Sequence, residues 1–222
     1  MTPTLFALLF LLCEMRLICS AFKVSVQPPC FSSSREMGQA ALEHPSYEVI
    51  HKANGYEIRR YVSSVWMTTL PIQNISFTDA TNNGFSQLFN YIQGANNKKL
   101  KIEMTAPVLT QVTPSDGPFC KSTFVVSFYV PKANQPNPPS ANGLHVQIWK
   151  NQYVAAHRFG GFASDSNIAL EAAALQSSLQ VSAWYPKIAK SRGNSTTYIV
   201  AQYNSPYDFN NRVNEILLTF YE

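Results

Sequence analysis

Charge, paired metal ligands and long apolar runs are all in short supply in this chain. Of its 222 residues, 14% are charged and 45% apolar, a balance that suits a packed globular protein and argues against disorder. The formal charge of +4 is modest and is not gathered into a basic run, so nucleic acid is not expected as a partner. The four histidines, His44, His51, His145 and His157, have neither the i, i+4 helical spacing nor a Cys-x-x-Cys companion, and no zinc site is indicated. The sequence also lacks a Gly-x-Ser-x-Gly elbow, a P-loop and a paired-glycine dinucleotide fingerprint. Cys120, in the turn Gly-Pro-Phe-Cys-Lys, has no base indicated beside it and reads as a structural or idle thiol. A non-enzymatic protein is expected.

Leu5 to Leu12 is an apolar run of about eight residues, too short to span a bilayer and within the range of a signal-peptide core. Cys19-Ser-Ala21 then offers small residues for cleavage, so residues 1–21 are expected to be a signal peptide and the mature chain to be secreted or in the endomembrane lumen. No later stretch is long or apolar enough to span a bilayer, and stable membrane insertion is not expected. Cleavage leaves two cysteines, Cys30 and Cys120, which either pair, tying the N-terminal arm to the domain, or remain thiols. The sequons Asn74-Ile-Ser and Asn194-Ser-Thr fit a secreted glycoprotein.

Residues 22–45, with Pro28, Pro29, a serine run and Gly38, read as an arm. From there one domain, 46–222, is expected to run to the end. Tyr47–His51 and Tyr56–Tyr61 flank Asn54-Gly55, a strong hairpin signal, with the second strand running on or re-forming through Val65 to Leu70. A helix follows, then strands over Lys101–Val112 and Ser122–Pro131. The Pro- and Asn-rich stretch 131–143 is a long loop, after which the order recurs. Leu144–Trp149 and Tyr153–Phe159 are expected as a hairpin about Lys150-Asn-Gln152, followed by a helix over Asn167–Val181 and strands over Thr197–Tyr203 and Glu215–Tyr221. The pseudo-repeats, about 47–130 and 144–222, each read ββαββ. Neither copy buries a sheet face alone, so the two are expected to share one core as an α+β domain, a distorted open β-barrel flanked by two helices.

The first helix carries the candidate site. Ser76 is its expected N-cap, with Asp79 placed to return a bond to the cap, and Gly94 is placed to stop it. At about 100° per residue, Phe77, Thr81, Gly84, Leu88 and Tyr91 share one face with Ile92 at its edge, while Phe85 and Phe89 lie round to one side. Phe85, Phe89, Met104 and Tyr207 admit two readings, deep core or an aromatic ligand surface at the rim of the core. Lys98, Lys99 and Lys101 are either a solvated turn or an anchor for a carboxylate. The Ala-rich second helix lacks the aromatic flank.

Lys101-Ile-Glu-Met-Thr-Ala-Pro-Val108, with Tyr91-Ile-Gln-Gly94, Gly117-Pro-Phe119, Phe128-Tyr-Val-Pro131, Tyr203-Asn-Ser-Pro206 and Asn214-Glu-Ile-Leu-Leu218, resembles the SOUL haem-binding proteins from about Tyr47 to Tyr221, and the signal segment resembles their secreted plant-type branch. The resemblance implies a duplicated barrel with two helices, and binding of haem or related tetrapyrroles in an apolar groove on the first helix by a monomeric carrier or buffer. It places Phe85 and Phe89 in the groove; Leu88, Met104 and Tyr207 are added as candidate binding residues from the reading of the chain itself. One branch of the family has a histidine proposed as axial ligand where this chain has Arg60, so no obligatory axial histidine is expected. Another offers basic residues to the propionates where this chain has Asn82, Asn90 and Asp208; Arg60, Lys98, Lys99 and Arg212 are the cations left to serve. The alternative is a small-molecule sensor or protein-interaction module using the same strip.

Overall fold

Asn54 and Gly55 make the tight turn their sequence demands, Gly55 taking a φ of +87° that a side chain would strain. The turn joins β1 (Glu48–Ala53) to β2 (Tyr56–Thr69) in the computed structural model, which describes residues 42–117 and 120–222. The signal segment, the arm up to residue 41 and Cys30 lie outside the described residues. The last arm residues pack onto the domain: Glu43 bridges Thr105 in parallel, accepts from Lys132 N at 3.0 Å through Oε1, and His44 stacks against Tyr203.

The chain continues through β3 (Ile72–Asn74), α1 (Phe77–Ile92), β4 (Val108–Thr113), β5 (Ser122–Tyr129), β6 (Leu144–Phe159), α2 (Ile168–Gln180), α3 (Tyr185–Arg192), β7 (Tyr198–Gln202) and β8 (Asn214–Phe220). Six strands form a ring in the order β2-β6-β8-β7-β4-β5, closed by β5 pairing back onto β2, while β1 and β3 are added at its margins. Every pairing between these strands is antiparallel.

The expected α+β barrel of duplicated units, with a helix on each, is therefore present, and its ring is closed. In each copy the ring receives one long strand, a helix and two strands: β2-α1-β4-β5 and β6-α2-β7-β8. Because β2 pairs with β6 and β4 with β7, the copies face each other about a pseudo-two-fold axis.

Three local expectations give way. Leu144 to Phe159 is one strand, not a hairpin: Asn151 adopts a φ of +46°, but the chain does not reverse, because β2 offers a partner along the whole length from Glu57 to Thr69. Apart from Thr105 in an isolated bridge, Lys101–Pro107 lies outside the sheet ladders. Its backbone is used elsewhere, Ile102 N–H donating to Ile92 O and Ala106 N–H to Glu43 O, and Pro107 has no N–H to offer. Finally, α3 is a third helix, begun by Pro186 in its first turn.

The buried residues divide by layer. Tyr61, Trp66, Leu109, Tyr129, Trp149 and Leu217, with others from all six ring strands, fill the barrel. A second cluster joins the barrel to α2 through Ile58, Ala155, Ala172, Leu175 and Ile216. The third lies beneath α1, where Leu88, Tyr91 and Ile92 meet Val65, Met67, Val126 and Phe128.

Candidate functional site

The start of α1 is fixed from two directions. Ser76 Oγ accepts from Asp79 N at 3.2 Å, the expected cap. The return bond from Asp79 is replaced, since Ser76 N–H donates instead to Asn74 Oδ1 at 3.1 Å. Asp165, from the other half of the duplication, accepts from Ser76 Oγ at 2.9 Å and from the N–H groups of Phe77 and Thr78. Burial works against its charge, but the hydrogen bonds from Phe77, Ser76 and Thr78 prevail and hold the carboxyl below its ordinary value. At the other end Gly94, at φ +110°, turns the chain out of the helix.

Between these ends α1 buries Phe77, Ala80, Thr81, Gly84, Leu88, Tyr91 and Ile92, the face read from the sequence with Ala80 added. Gly84 lets the helix approach so closely that a Cβ there would lie 2.3 Å from Val126 Cγ2. Thr81 and Thr110 hydroxyls meet at 3.1 Å across the interface. With that face seated, Phe85 is half-buried and Phe89 is 42% exposed. Their rings stack at 5.7 Å and 14°, and Phe85 meets the barrel residue Phe128 edge-on at 5.3 Å. The pair thus forms an apolar shelf with one ring supported on the barrel and the other open.

The remaining predicted residues fall into three groups. Met104 packs on the cluster beneath α1, as Phe85 does. Tyr207, 84% exposed, sits in the β7–β8 loop; Gln202 stands opposite Val108, so this loop leaves the barrel at the end where Met104–Pro107 enters β4. Leu88 is fully buried and belongs to the seating of α1 rather than to its open flank. Asn82 and Asn90 are both exposed. Helix geometry sets Asn82 about 20° from Phe89 and Asn90 about 100° away on the solvent side.

Arg60 is not brought to the shelf. It lies on β2 seven residues before Met67, about 23 Å along the strand, and its Nη2 donates to Glu48 Oε2 at 2.6 Å. Helix α1 covers the far half of β2, whereas Arg60 lies in the half flanked by β1. Arg212 is buried: its Nη1 donates to the carbonyls of Ser205 and Asp208 at 2.8 and 2.7 Å, and its guanidinium lies 4.2 Å from the centre of the Phe162 ring. It braces the β7–β8 loop. Lys98, Lys99 and Lys101 are all exposed, and Lys98 Nζ donates to Asn137 O at 2.9 Å.

Asn194 is exposed in the turn after α3; Asn74 is half-buried, its Oδ1 occupied by the N–H groups of Ile75 and Ser76. Cys120 is exposed in the β4–β5 loop, and its expected partner lies outside the described residues.

Sequence reasoning missed two charged devices. Asp165 is one. The other is a bidentate pair inside the barrel, Arg59 Nη1 and Nη2 donating to Glu215 at 2.7 Å each, with Tyr203 Oη donating to the same carboxylate at 2.7 Å. Burial alone would weaken the Arg59 charge, yet Glu215 holds the guanidinium protonated above its already high ordinary value. Neither had a local signal, because each joins residues from opposite halves of the chain.

Comparison with known proteins agrees with this architecture. The family model described as SOUL heme-binding protein matches residues 42–219. Heme-binding protein 2 of Mus musculus is 32% identical over 187 residues, covering 80% of this chain and 86% of that protein. Heme-binding protein 2 of Homo sapiens is also 32% identical, over 84% and 90% of the two chains. Among solved structures, EcmrR in its complex with DNA overlays with a TM-score of 0.53 at 7% identity, over 75% of this chain and 57% of that one, a likeness of fold alone. With the family model spanning both halves of the duplicated barrel, from the bridge at Glu43 to the last ring strand, the chain belongs to the SOUL heme-binding protein family.

Proposed function

We propose that this protein binds haem or a closely related tetrapyrrole on the open flank of α1, as a carrier or buffer rather than an enzyme. The observation that carries the reading is the stacked pair Phe85–Phe89, held on Phe128 and left partly exposed where a helix serving the core alone would end in polar residues. A macrocycle laid on this shelf meets ring faces and the apolar Met104 on one side. The β7–β8 loop with Tyr207, at the same end of the barrel, supplies a second wall. The names of the mouse and human relatives support the ligand class. Asn82, on the flank of Phe89, serves in this reading as a donor to a propionate, with Lys98, Lys99 and Lys101 as exposed cations beyond the helix. Binding then rests on apolar contact without an obligatory iron ligand.

Titration of the purified protein with haem and with metal-free protoporphyrin tests this. Both are expected to saturate one site with affinities within about threefold of each other, and Phe89→Asp, at an exposed position, is expected to weaken both by roughly tenfold or more. A strong preference for the iron form would overturn the unliganded mode. No saturable binding of either would overturn the function.

A further inference from the structure

The tetrapyrrole site proposed above uses the flank of α1 and the β7–β8 loop, and duplication gives the barrel a second place of the same kind. The pseudo-two-fold axis relates α1 to α2 and the β7–β8 loop to the β4–β5 loop, so a counterpart is due between α2 and residues 114–117 with Cys120 and Ser122. The structure holds a cavity of about 810 Å³ there, within the range of small-molecule sites. Its floor is the apolar side of the barrel, Val112, Phe124 and Tyr198, with Phe77 and Ile168 from the two helix starts.

The helix wall explains why this groove is open. With α1 and α2 aligned from their first residues, Phe85 and Phe89 correspond to Gln176 and Gln180, and Thr81 to Ala172. The aromatic shelf that fills the first groove has no counterpart, and Ala169, Ala172 and Ala173 leave the second hollow.

Charge sets the ligand class. Asp116 and Asp165 line the cavity, and no lysine, arginine or histidine does so among the described residues. The starts of α1 and α2 also face it, each worth roughly half a positive charge, so two carboxylates leave a net of about −1. Burial, and then the Asp165 charge, push the Tyr198 hydroxyl up to about 12. A ligand bearing propionates is therefore disfavoured, and a floor lined by Phe77, Phe124 and Tyr198 suits an aromatic cation. We propose that this second groove binds a lipophilic aromatic cation, at a site separate from the tetrapyrrole shelf and of opposite charge preference.

Tetraphenylphosphonium and tetraphenylborate have the same shape and opposite charge, and calorimetric titration of the full chain with each is the test. The phosphonium is expected to saturate one site at least about tenfold more tightly than the borate. Ala173→Trp, at an exposed position on the cavity wall, is expected to abolish that binding while protoporphyrin still binds. Asp116→Lys is expected to reverse the preference for the cation. Equal or tighter binding of the borate, unchanged phosphonium binding in Ala173→Trp, or loss of phosphonium binding in Phe89→Asp would each overturn the proposal. So would the absence of saturable binding. Because protoporphyrin is titrated on the same samples, failure at one groove is read independently of the other.

Discussion

Asp165 does at the level of one side chain what the duplication does for the whole chain: it makes the halves depend on each other. Its carboxylate closes the first turn of α1 from 88 residues away, and Phe77, whose N–H it accepts, opens the buried face of that helix. Because its folded pKa is depressed below the ordinary 3.8, the stability it supplies is fully present above that value and is lost as pH falls through the folded one. Asp165→Ala is therefore expected to cost about 1 kcal/mol at pH 7 in urea unfolding, the usual worth of a capping group, and the gap from the parent should close below about pH 4. A gap that stays constant with pH would mean that the carboxylate's charge does not contribute. Ser76 was legible in the sequence because a cap and its helix are neighbours. Asp165 was not, since nothing local ties a loop aspartate to a helix in the other repeat.

At the level of the element, α1 was legible nearly in full. Its cap, its stop at Gly94 and its buried stripe all follow from spacing along one helix, while the exposure of Phe89 decides between two readings that spacing left open. How closely it would sit was not legible, and Gly84 decides that. Gly84→Ala places a methyl against Val126; overpacking costs roughly 1–3 kcal/mol, while helix propensity returns at most about 1 kcal/mol. The net effect is expected to be destabilising in chemical unfolding, with Val126→Ala in the same chain costing less than the two changes summed. Strict additivity would remove the close approach as the cause. Strand β6 shows the opposite case. Lys150-Asn-Gln152 has the composition of a turn, but a 14-residue partner strand outweighs three residues of local preference. Arg60 marks the same limit for the site: the family resemblance placed it among the candidates, whereas its distance from Phe85 depends on which half of β2 the helix covers.

For the whole molecule, the repeat was legible as an order of elements, while ring closure was not, because it depends on which edges meet. That closure has a consequence for how the protein handles a ligand. Three residue pairs join β2 to β5, from Trp66 opposite Tyr129 to Thr68 opposite Ser127, whereas seven join β6 to β8 at the equivalent seam. The Thr68 and Ser127 hydroxyls stitch the short seam at 3.0 Å, and Phe128, which carries the edge of Phe85, stands in it opposite Met67. Amide exchange is expected to be faster at the β2–β5 seam than along β6–β8 in the free protein, and to slow at that seam when protoporphyrin saturates the shelf. Exchange that ignores the ligand would mean that shelf and seam act separately. On the proposed reading the shelf works as a latch: breathing of the barrel and release of a bound tetrapyrrole are then the same event, timed by the shortest seam of the ring.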